Sequence, residues 1–284
     1  MIGIFDSGAG GLSVWKELIT ILPSEDYYYI SDAEYCPYGP KCKEIVEKRA
    51  ETISSYLINK GAEIIVVACN TATAAAISHL RQTFDTPFVG MEPAVKPAAQ
   101  QTQSGVIGVL ATQGTFKGEL YHSTSEKYAK NKQVKIIEKV GEGLVELVEQ
   151  GKTQTPEAEA LVRKFIEPMI EEGADCVVLG CTHYPFLTPV IEKVAANRLK
   201  IINPAPAVAK RAKEVLAEVR RKSGAPKAKS DLFKEGNIIA TTGEGVELLK
   251  KMSTEIIAEI ERRGVLSKKE LNNIKRENVL TLKL

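Results

Sequence analysis

Two cysteines, Cys69 and Cys181, are the residues whose positions in the sequence most clearly indicate chemistry. Each follows a short apolar run and precedes a stretch with helical periodicity. The segment Gly61–Thr71 aligns with Gly173–His183, so the two cysteines occupy equivalent places in an internal repeat. A helix N-terminus is expected to lower the pKa of a thiol. One such cysteine is more often a small buried hydrophobe, but two equivalent ones favour a shared catalytic role.

Two thiols on opposite sides of one substrate can invert a carbon atom that lies next to a carboxylate. One thiol, as thiolate, removes a proton from one face, and the other delivers a proton to the opposite face. Cysteine suits this task because its pKa lies nearer neutrality than that of serine or threonine. A covalent thioester mechanism would need only one cysteine, usually with an adjacent histidine.

The segment Asp6–Gly11 follows the first predicted strand and permits two interpretations. In the first, Gly8 and Gly10 begin a dinucleotide-binding turn and Asp32 holds a ribose. The third glycine position is Ser13, however, and Asp6 would direct a negative charge toward the pyrophosphate. We favour the second interpretation, in which Asp6 and the following serine bind a small cation such as an α-ammonium group, while the glycines permit close backbone approach.

Polar residues also follow both cysteines. Asn70 and Thr71 come after the first, and Thr182 and His183 come after the second. Their side chains and backbone N–H groups suit a substrate carboxylate at a helix N-terminus. Simple N-capping by these residue types is the alternative, and the two roles are compatible.

The remaining cysteines indicate neither a disulfide framework nor a metal site. The chain has five cysteines, an odd number, and no CxxC pair. Cys36 and Cys42 have no further ligands at metal-binding spacing, so we predict no bound metal. The turn Cys36–Pro40 can supply backbone donors to a ligand or merely reverse the chain. Free thiols indicate a cytoplasmic protein.

Short strands that alternate with helices must position these residues. Most predicted strands are apolar throughout, which is typical of a parallel sheet covered by helices on both faces. The predicted strands are Ile2–Phe5, Tyr27–Ser31, Ile64–Ala68, Phe88–Gly90, Val106–Leu110, Lys135–Glu138, Cys176–Gly180, Lys200–Ile202 and Ile238–Thr241. The predicted helices are Ser13–Leu22, Ile45–Asn59, Thr73–Thr83, Pro93–Gln100, Thr115–Ala129, Thr155–Glu172, Leu187–Val194, Ala205–Lys222 and Gly245–Arg263.

The repeat predicts an α/β fold of two similar three-layer α/β/α domains with parallel sheets, related by a pseudo-twofold axis. The active site would lie in the cleft between them, because ligands of such sheets bind at the carboxyl ends of the strands. We expect residues 1–95 plus 207–263 to form the first domain, 96–206 the second, and 264–284 a C-terminal extension. The polar stretch Lys222–Gly236 is expected to be a surface loop.

Composition excludes several classes of protein. Among the 284 residues, 44% are hydrophobic and 26% are charged, as in a soluble globular chain. No apolar run is long enough to cross a bilayer, and the early Asp6 argues against a signal peptide. The part after residue 206 is basic, but acidic residues are mixed through it, which indicates a solvated surface. We therefore expect a small-molecule substrate, no nucleic-acid or membrane partner, and a homodimer.

Taken together, the motifs resemble the glutamate racemases of bacterial cell-wall synthesis. The matching segments are DSGAGGLSV at 6–14, PYG at 37–39, ACNTATA at 68–74, GCTHYP at 180–185, INPAPAVA at 202–209 and TTGEG at 241–245. The resemblance covers about residues 2–260. It implies two α/β domains, a site in the cleft between them, and cofactor-independent interconversion of L- and D-glutamate that supplies D-glutamate for peptidoglycan.

The resemblance also implies roles for individual residues. Cys69 would be the base for the D-enantiomer and Cys181 for the L-enantiomer, with Asp6 and His183 assisting proton transfer. Glu149 matches a further acidic position near the second thiol. The residues that would line the substrate are Asp6, Ser7, Tyr38, Gly39, Asn70, Thr71, Thr182 and His183.

Two features depart from the family pattern. Cys36 places a third thiol beside the PYG motif, and the stretch from about 264 extends past the usual core. Three other functions are open to the same sequence: racemisation of aspartate, non-catalytic amino-acid binding, and the dinucleotide enzyme described above. The paired cysteines argue against the binder, because binding alone requires no thiol on each side of a ligand.

Overall fold

The computed structural model describes residues 1–92, 94–132, 134–223, 237–275 and 277–284, in which strands alternate with helices. The strands are β1 (Ile2–Asp6), β2 (Tyr27–Ser31), β3 (Ile64–Val67), β4 (Phe88–Gly90), β5 (Val106–Ala111), β6 (Lys135–Val140), β7 (Cys176–Gly180), β8 (Lys200–Ile202), β9 (Asn237–Thr241) and β10 (Glu277–Thr281). The α-helices are α1 (Leu12–Ile21), α2 (Lys43–Asn59), α3 (Asn70–Thr83), α4 (Val95–Gln101), α5 (Gln113–Phe116), α6 (Glu119–Lys132), α7 (Leu144–Glu149), α8 (Pro156–Glu171), α9 (Thr188–Ala195), α10 (Ala205–Ser223), α11 (Val246–Arg263) and α12 (Lys268–Ile274).

The first sheet has six parallel strands in the order β10-β9-β2-β1-β3-β4. The central strand β1 pairs with β2 and β3, and its last residue, Asp6, lies beside Ser31. The carboxyl ends of parallel strands lie on the same side of a sheet. Asp6, Asp32 and Cys69, at the carboxyl ends of β1, β2 and β3, therefore lie on one side of the first sheet.

The second sheet has four parallel strands in the order β6-β5-β7-β8. Its register pairs Ala111 of β5 with Gly180 of β7. The next residues along the two strands, Thr112 and Cys181, consequently leave this sheet as neighbours. The predicted α/β class, with parallel sheets in two sets, is confirmed.

Continuous apolar strands form the core of each sheet. All residues of β3, whose sequence is Ile-Ile-Val-Val, and all residues of β7 are buried. Helices cover the faces of both sheets, and full burial of one such aliphatic side chain contributes about 1.5–3 kcal/mol. The strand-end loops are thus carried on a rigid framework.

The structure departs from the predicted helices in two places. The helix expected over Thr115–Ala129 is two helices, α5 and α6, with the weak helix former Gly118 between them. The short helix α7 was not expected, because six residues carry too little periodicity to be recognised. The predicted surface loop Lys222–Gly236 lies almost wholly outside the described residues.

The stretch 264–284, set apart in the sequence as an extension, contributes a helix and a strand. Helix α12 begins at a capping box formed by Ser267 and Glu270. Strand β10 pairs in parallel with β9 and forms the edge of the first sheet. The first sheet thus takes its strands from residues 2–90, 237–241 and 277–281, and the second from 106–202. The domain boundaries given above remain a prediction.

Candidate active site

Asp6 begins the site at the carboxyl end of β1. Its side chain is fully buried, and Oδ2 accepts a hydrogen bond of 2.8 Å from the backbone N–H of Gly11. The hydroxyl of Thr182, from the second sheet, donates to the same oxygen at 3.3 Å. Burial raises the pKa of Asp6, and the opposing effects of the His183 charge and a hydrogen bond with Cys69 only partly offset it. The carboxyl group thus joins the two halves of the site.

The glycines after Asp6 allow protein side chains, not a nucleotide, to approach the backbone. A Cβ at Gly10 would lie 2.3 Å from Nδ1 of His183, and one at Gly8 would lie 2.1 Å from Oε1 of Glu149. Asp32, the residue that would hold a ribose, is bonded instead by protein donors, among them Arg49 at 2.7 Å. The space that a pyrophosphate and ribose would need is occupied, which contradicts the dinucleotide interpretation.

Cys69 leaves β3 and forms the N-cap of α3. Its Sγ accepts from the N–H of Ala72 at 3.4 Å and lies 3.8 Å from Oγ of Ser7. The expected lowering of the thiol pKa is wrong. Burial raises the pKa of Cys69 well above its ordinary value, and the negative charge of Asp6 raises it further, while the Ala72 N–H opposes them too weakly. At neutral pH the Cys69 side chain is therefore a protonated thiol.

Cys181 leaves β7 and heads a chain of three side chains. Its Sγ lies 3.7 Å from Nδ1 of His183, whose Nε2 lies 2.6 Å from Oε1 of Glu149. The same carboxylate oxygen accepts from the N–H of Ala9 at 2.7 Å. Burial lowers the pKa of His183, but hydrogen bonds with Cys181, Cys36 and Glu149 outweigh it and hold the pKa well above its ordinary value. The imidazole thus forms a cation beside the second thiol.

Glu149 carries the compensating charge. Burial raises its pKa, but the hydrogen bond and charge of His183 outweigh burial, so the pKa of Glu149 is lowered overall. The fold also brings a ligand-type atom of Cys36 within 4.8 Å of those of Glu149 and His183. Sequence spacing had given Cys36 no such companions, because the three residues are far apart in the chain. Thiolate, carboxylate and imidazole groups are ligand types that zinc binds, but here hydrogen bonds join Cys36, Glu149 and His183 into one network. The absence of a bound metal stays a prediction.

A small cavity is bordered by both thiols, Cys69 after β3 and Cys181 after β7, and is lined by loops of both sheets. The side chains and backbone around it belong to Ser7, Pro37, Tyr38, Gly39, Cys69, Asn70, Thr71, Thr112, Val145, Cys181, Thr182 and His183. The cavity measures about 10 Å³, enough for roughly one water molecule. An amino acid can therefore enter only when loops of the two sheets separate.

Most of the residues implicated by the sequence line this cavity, and the others contact residues that do. Asp6 lies behind it, bonded to Thr182, and Glu149 contacts it through His183. The amide oxygen of Asn70 is buried without a hydrogen-bond partner among the described residues. Asn70 lines the cavity, and a buried acceptor of this kind is normally satisfied by a hydrogen-bond donor.

Sequence reasoning missed two residues of the cavity wall, Thr112 and Val145. The hydroxyl of Thr112 lies 2.8 Å from that of Thr71, which joins the two sheets across the cavity. Thr112 directly follows β5. In the sequence, Gly108–Gln113 pairs weakly with Gly3–Gly8, which places Thr112 opposite Ser7, and this was the available signal. Val145 is on the unforeseen helix α7 and carried no signal in the sequence.

Comparison with known proteins places the chain in a family. It belongs to the Asp/Glu/hydantoin racemase family, whose model matches residues 7–212. The chain is therefore an enzyme of the racemase class. Glutamate racemase from Roseiflexus sp. (strain RS-1) is 45% identical over 218 residues, which are 76% of this chain and 79% of the relative.

Two further proteins extend the similarity over nearly the whole chain. Glutamate racemase from Pseudomonas syringae pv. tomato is 39% identical over 256 residues, covering 90% of this chain and 92% of the relative. The crystal structure of Escherichia coli glutamate racemase in complex with L-glutamate and the activator UDP-MurNAc-ala is 30% identical, with a TM-score of 0.82. The match covers 99% of this chain and 97% of that one. No helix in the described part of this chain is long and apolar enough to span a membrane.

Proposed function

We propose that the chain interconverts L- and D-glutamate by moving the α-proton between the thiols of Cys69 and Cys181. One observation carries the proposal: both thiols are buried at the ends of equivalent strands and border the same cavity. Glutamate racemases with 39–45% identity and high coverage support glutamate as the substrate. No cofactor is needed for proton transfer between two thiols.

In this mechanism each thiol acts as base in one direction and acid in the other. For L-glutamate, the Cys181 thiolate removes the α-proton and becomes a thiol. The electron pair left on the α-carbon is delocalised into the adjacent carboxylate. The Cys69 thiol then donates its proton to the opposite face and becomes a thiolate. For D-glutamate, the same steps run from Cys69 to Cys181.

The unlike surroundings of the two thiols fit this exchange. Asp6 stands beside Cys69 and can accept its proton, whereas Nδ1 of His183 lies 3.7 Å from Sγ of Cys181, within reach of a proton on that thiol. The raised pKa of Cys69 corresponds to a resting thiol, ready to act as the acid. When the α-ammonium group of the substrate enters, its positive charge opposes the effects that raise the pKa of Cys69.

Substrate binding is assigned to the polar residues that line the cavity and to Asp6 behind it. The residues in this role are Asp6, Ser7, Tyr38, Gly39, Asn70, Thr71, Thr182 and His183. The unpartnered amide oxygen of Asn70 suits the α-ammonium group, and the hydroxyls and backbone N–H groups suit the carboxylates. A four-atom aspartate side chain would reach fewer of these donors than glutamate, because it is one methylene shorter.

Polarimetry of purified, metal-free protein tests the function directly. Both L-glutamate and D-glutamate should lose optical rotation and converge on the racemic mixture, and aspartate should react much more slowly. In D₂O, the product should acquire deuterium at the α-carbon, since each thiol exchanges its proton with solvent. Rapid turnover of aspartate with little turnover of glutamate would overturn the assignment of glutamate as the substrate and favour aspartate.

The cellular role that we propose is the supply of D-glutamate for peptidoglycan in the cytoplasm. The odd number of cysteines and the lack of a CxxC pair support a reducing compartment. Growth of a D-glutamate auxotroph on expression of the chain, without added D-glutamate, would support this role. The homodimer remains a prediction, which sedimentation velocity tests by measuring the oligomeric state in solution.

A further inference from the structure

Asp32 holds several separate segments together behind the cavity. Its side chain is fully buried at the carboxyl end of β2. The hydroxyl of Tyr38 donates to it at 2.5 Å, and the hydroxyl of Thr242 at 2.8 Å. Arg49 donates twice, from Nε at 3.0 Å and from Nη2 at 2.7 Å. Bonds from three side chains occupy both carboxylate oxygens, so Asp32 serves the protein and not the substrate.

Tyr38 connects this network to the active site. The residue is buried and, with Gly39, forms part of the cavity wall. Its hydroxyl is directed away toward Asp32, and burial together with the Asp32 charge raises its pKa well above the ordinary value. The Tyr38 hydroxyl therefore stays protonated and fixes the loop to the end of β2.

Arg49 connects the same network to the far end of the described chain. Its Nη1 donates to the carbonyl of Leu284 at 3.4 Å. The N–H of Leu282 donates to the carbonyl of Thr241 at 2.7 Å, next to Thr242. Leu280, Leu282 and Leu284 pack against an apolar cluster that includes Tyr38 and Cys69. The end of β10 and the residues after it thus pack against the same apolar cluster as Tyr38 and Cys69.

We propose that Asp32 is a positioning residue of the racemase site: together with Arg49 and residues 277–284, it holds the Tyr38–Gly39 wall where the substrate binds. A buried ion pair with fully satisfied hydrogen bonds specifies one geometry, and loss of one partner leaves the other uncompensated. The inference rests on the proposed function, since it assigns this wall to glutamate. It also gives residues 277–284, at the end of the predicted extension, a role in the site.

Asp32→Asn tests the proposal because it removes the charge and keeps the shape. The kcat/KM for glutamate should fall on the order of 10- to 100-fold, the scale for a small displacement of a positioned group. The loss should appear mainly as a raised KM, because Tyr38 and Gly39 contact substrate and carry no reacting proton. Tyr38→Phe should act in the same direction.

A double-variant cycle isolates the bond between the two residues. If Asp32 acts through the Tyr38 hydroxyl, the Asp32→Asn/Tyr38→Phe double variant should be no worse than Asp32→Asn alone. If the losses multiply instead, Asp32 does not act through Tyr38 and the proposal is wrong. Removal of residues 282–284 should raise KM in the same direction by a smaller factor, and an unchanged KM would exclude that segment from the support.

A second ion cluster, partly buried at the amino-terminal ends of β1 and β3, supplies the control. Glu63 precedes β3, and it accepts from Arg220 at 2.8 Å and from the Met1 ammonium at 2.6 Å. Glu63→Gln should lower the melting temperature but leave KM and kcat unchanged. If Glu63→Gln raised KM as much as Asp32→Asn at an equal loss of melting temperature, Asp32 would be merely structural.

The outcomes also separate this inference from the proposed function. Wild-type protein that does not racemise glutamate would overturn the proposed function itself. Wild-type turnover with an unchanged KM in Asp32→Asn would overturn only the positioning role. Should Asp32→Asn not fold, Arg49→Lys keeps the positive charge but loses the two-pronged contact, and the same rise in KM is expected.

Discussion

Replacement of Cys69 by serine is the most direct perturbation of the two-thiol mechanism. The change is almost isosteric, and the contacts of Sγ with the Ala72 N–H and the Ser7 hydroxyl can be kept by an oxygen atom. We therefore expect the variant to fold with a melting temperature close to that of the wild type. The kinetic effect should then reflect proton transfer alone.

The surroundings of Cys69 set the size of that effect. Burial and the Asp6 charge already raise the thiol pKa, and a hydroxyl in the same place starts from a far higher pKa. The loss of one positioned acid or base is about 10²- to 10⁴-fold, which corresponds to about 3–5 kcal/mol in the barrier. Both directions should slow, because the step in which Cys69 is acid and the step in which it is base are both lost.

A glutamate analogue with a leaving group on the β-carbon separates the two faces. Elimination requires only removal of the α-proton and departure of the leaving group, so one thiolate is enough. Cys69→Ser should therefore still eliminate from the L-analogue, through Cys181. The matched variant Cys181→Ser should eliminate from the D-analogue, through Cys69.

The opposite pattern would refute the reasoning. Racemisation by Cys69→Ser at a rate near that of the wild type would mean that Cys69 carries no proton. Elimination from the D-analogue by that variant, at the wild-type rate, would assign the D-face to another group. Cys36, or Asp6 acting with His183, would then become the base to test.

Four further outcomes are expected. Glu149→Gln removes the carboxylate 2.6 Å from His183, so the pKa of His183 should fall and the alkaline limb of the pH profile of kcat should move to lower pH, as histidine NMR titration would also report. In the wild type, the raised pKa means that the His183 contribution to stability is complete below about pH 6.5 and is lost as the pH rises through the folded pKa; urea titrations across that range measure it. Gly10→Ala would place a Cβ 2.3 Å from Nδ1 of His183, so it should greatly reduce kcat, and unchanged kcat would contradict the described packing. Dialysis against EDTA should leave turnover intact, whereas activity restored only by added metal would show that a metal is required.

The sequence by itself predicted the framework and the two thiols for which we propose the proton transfer. Apolar runs such as Ile-Ile-Val-Val before Cys69 predict buried parallel strands, because a strand covered on both faces needs no alternation. The repeat predicts that Cys69 and Cys181 end equivalent strands, and the structure brings both to one cavity. Local chain properties were sufficient for these features.

Only the tertiary structure decided the electrostatics and the support of the site. The pKa of Cys69 is raised, not lowered. Burial and the charge of Asp6, which is distant in sequence but near in space, outweigh the effect of the N-terminus of α3. The bond between His183 and Glu149 depends on a six-residue helix with too few turns to show a period. The role of Asp32 depends on donors far away in the sequence, among them Arg49. Desolvation and charge interactions depend on distance in space, and distance along the chain does not reveal it.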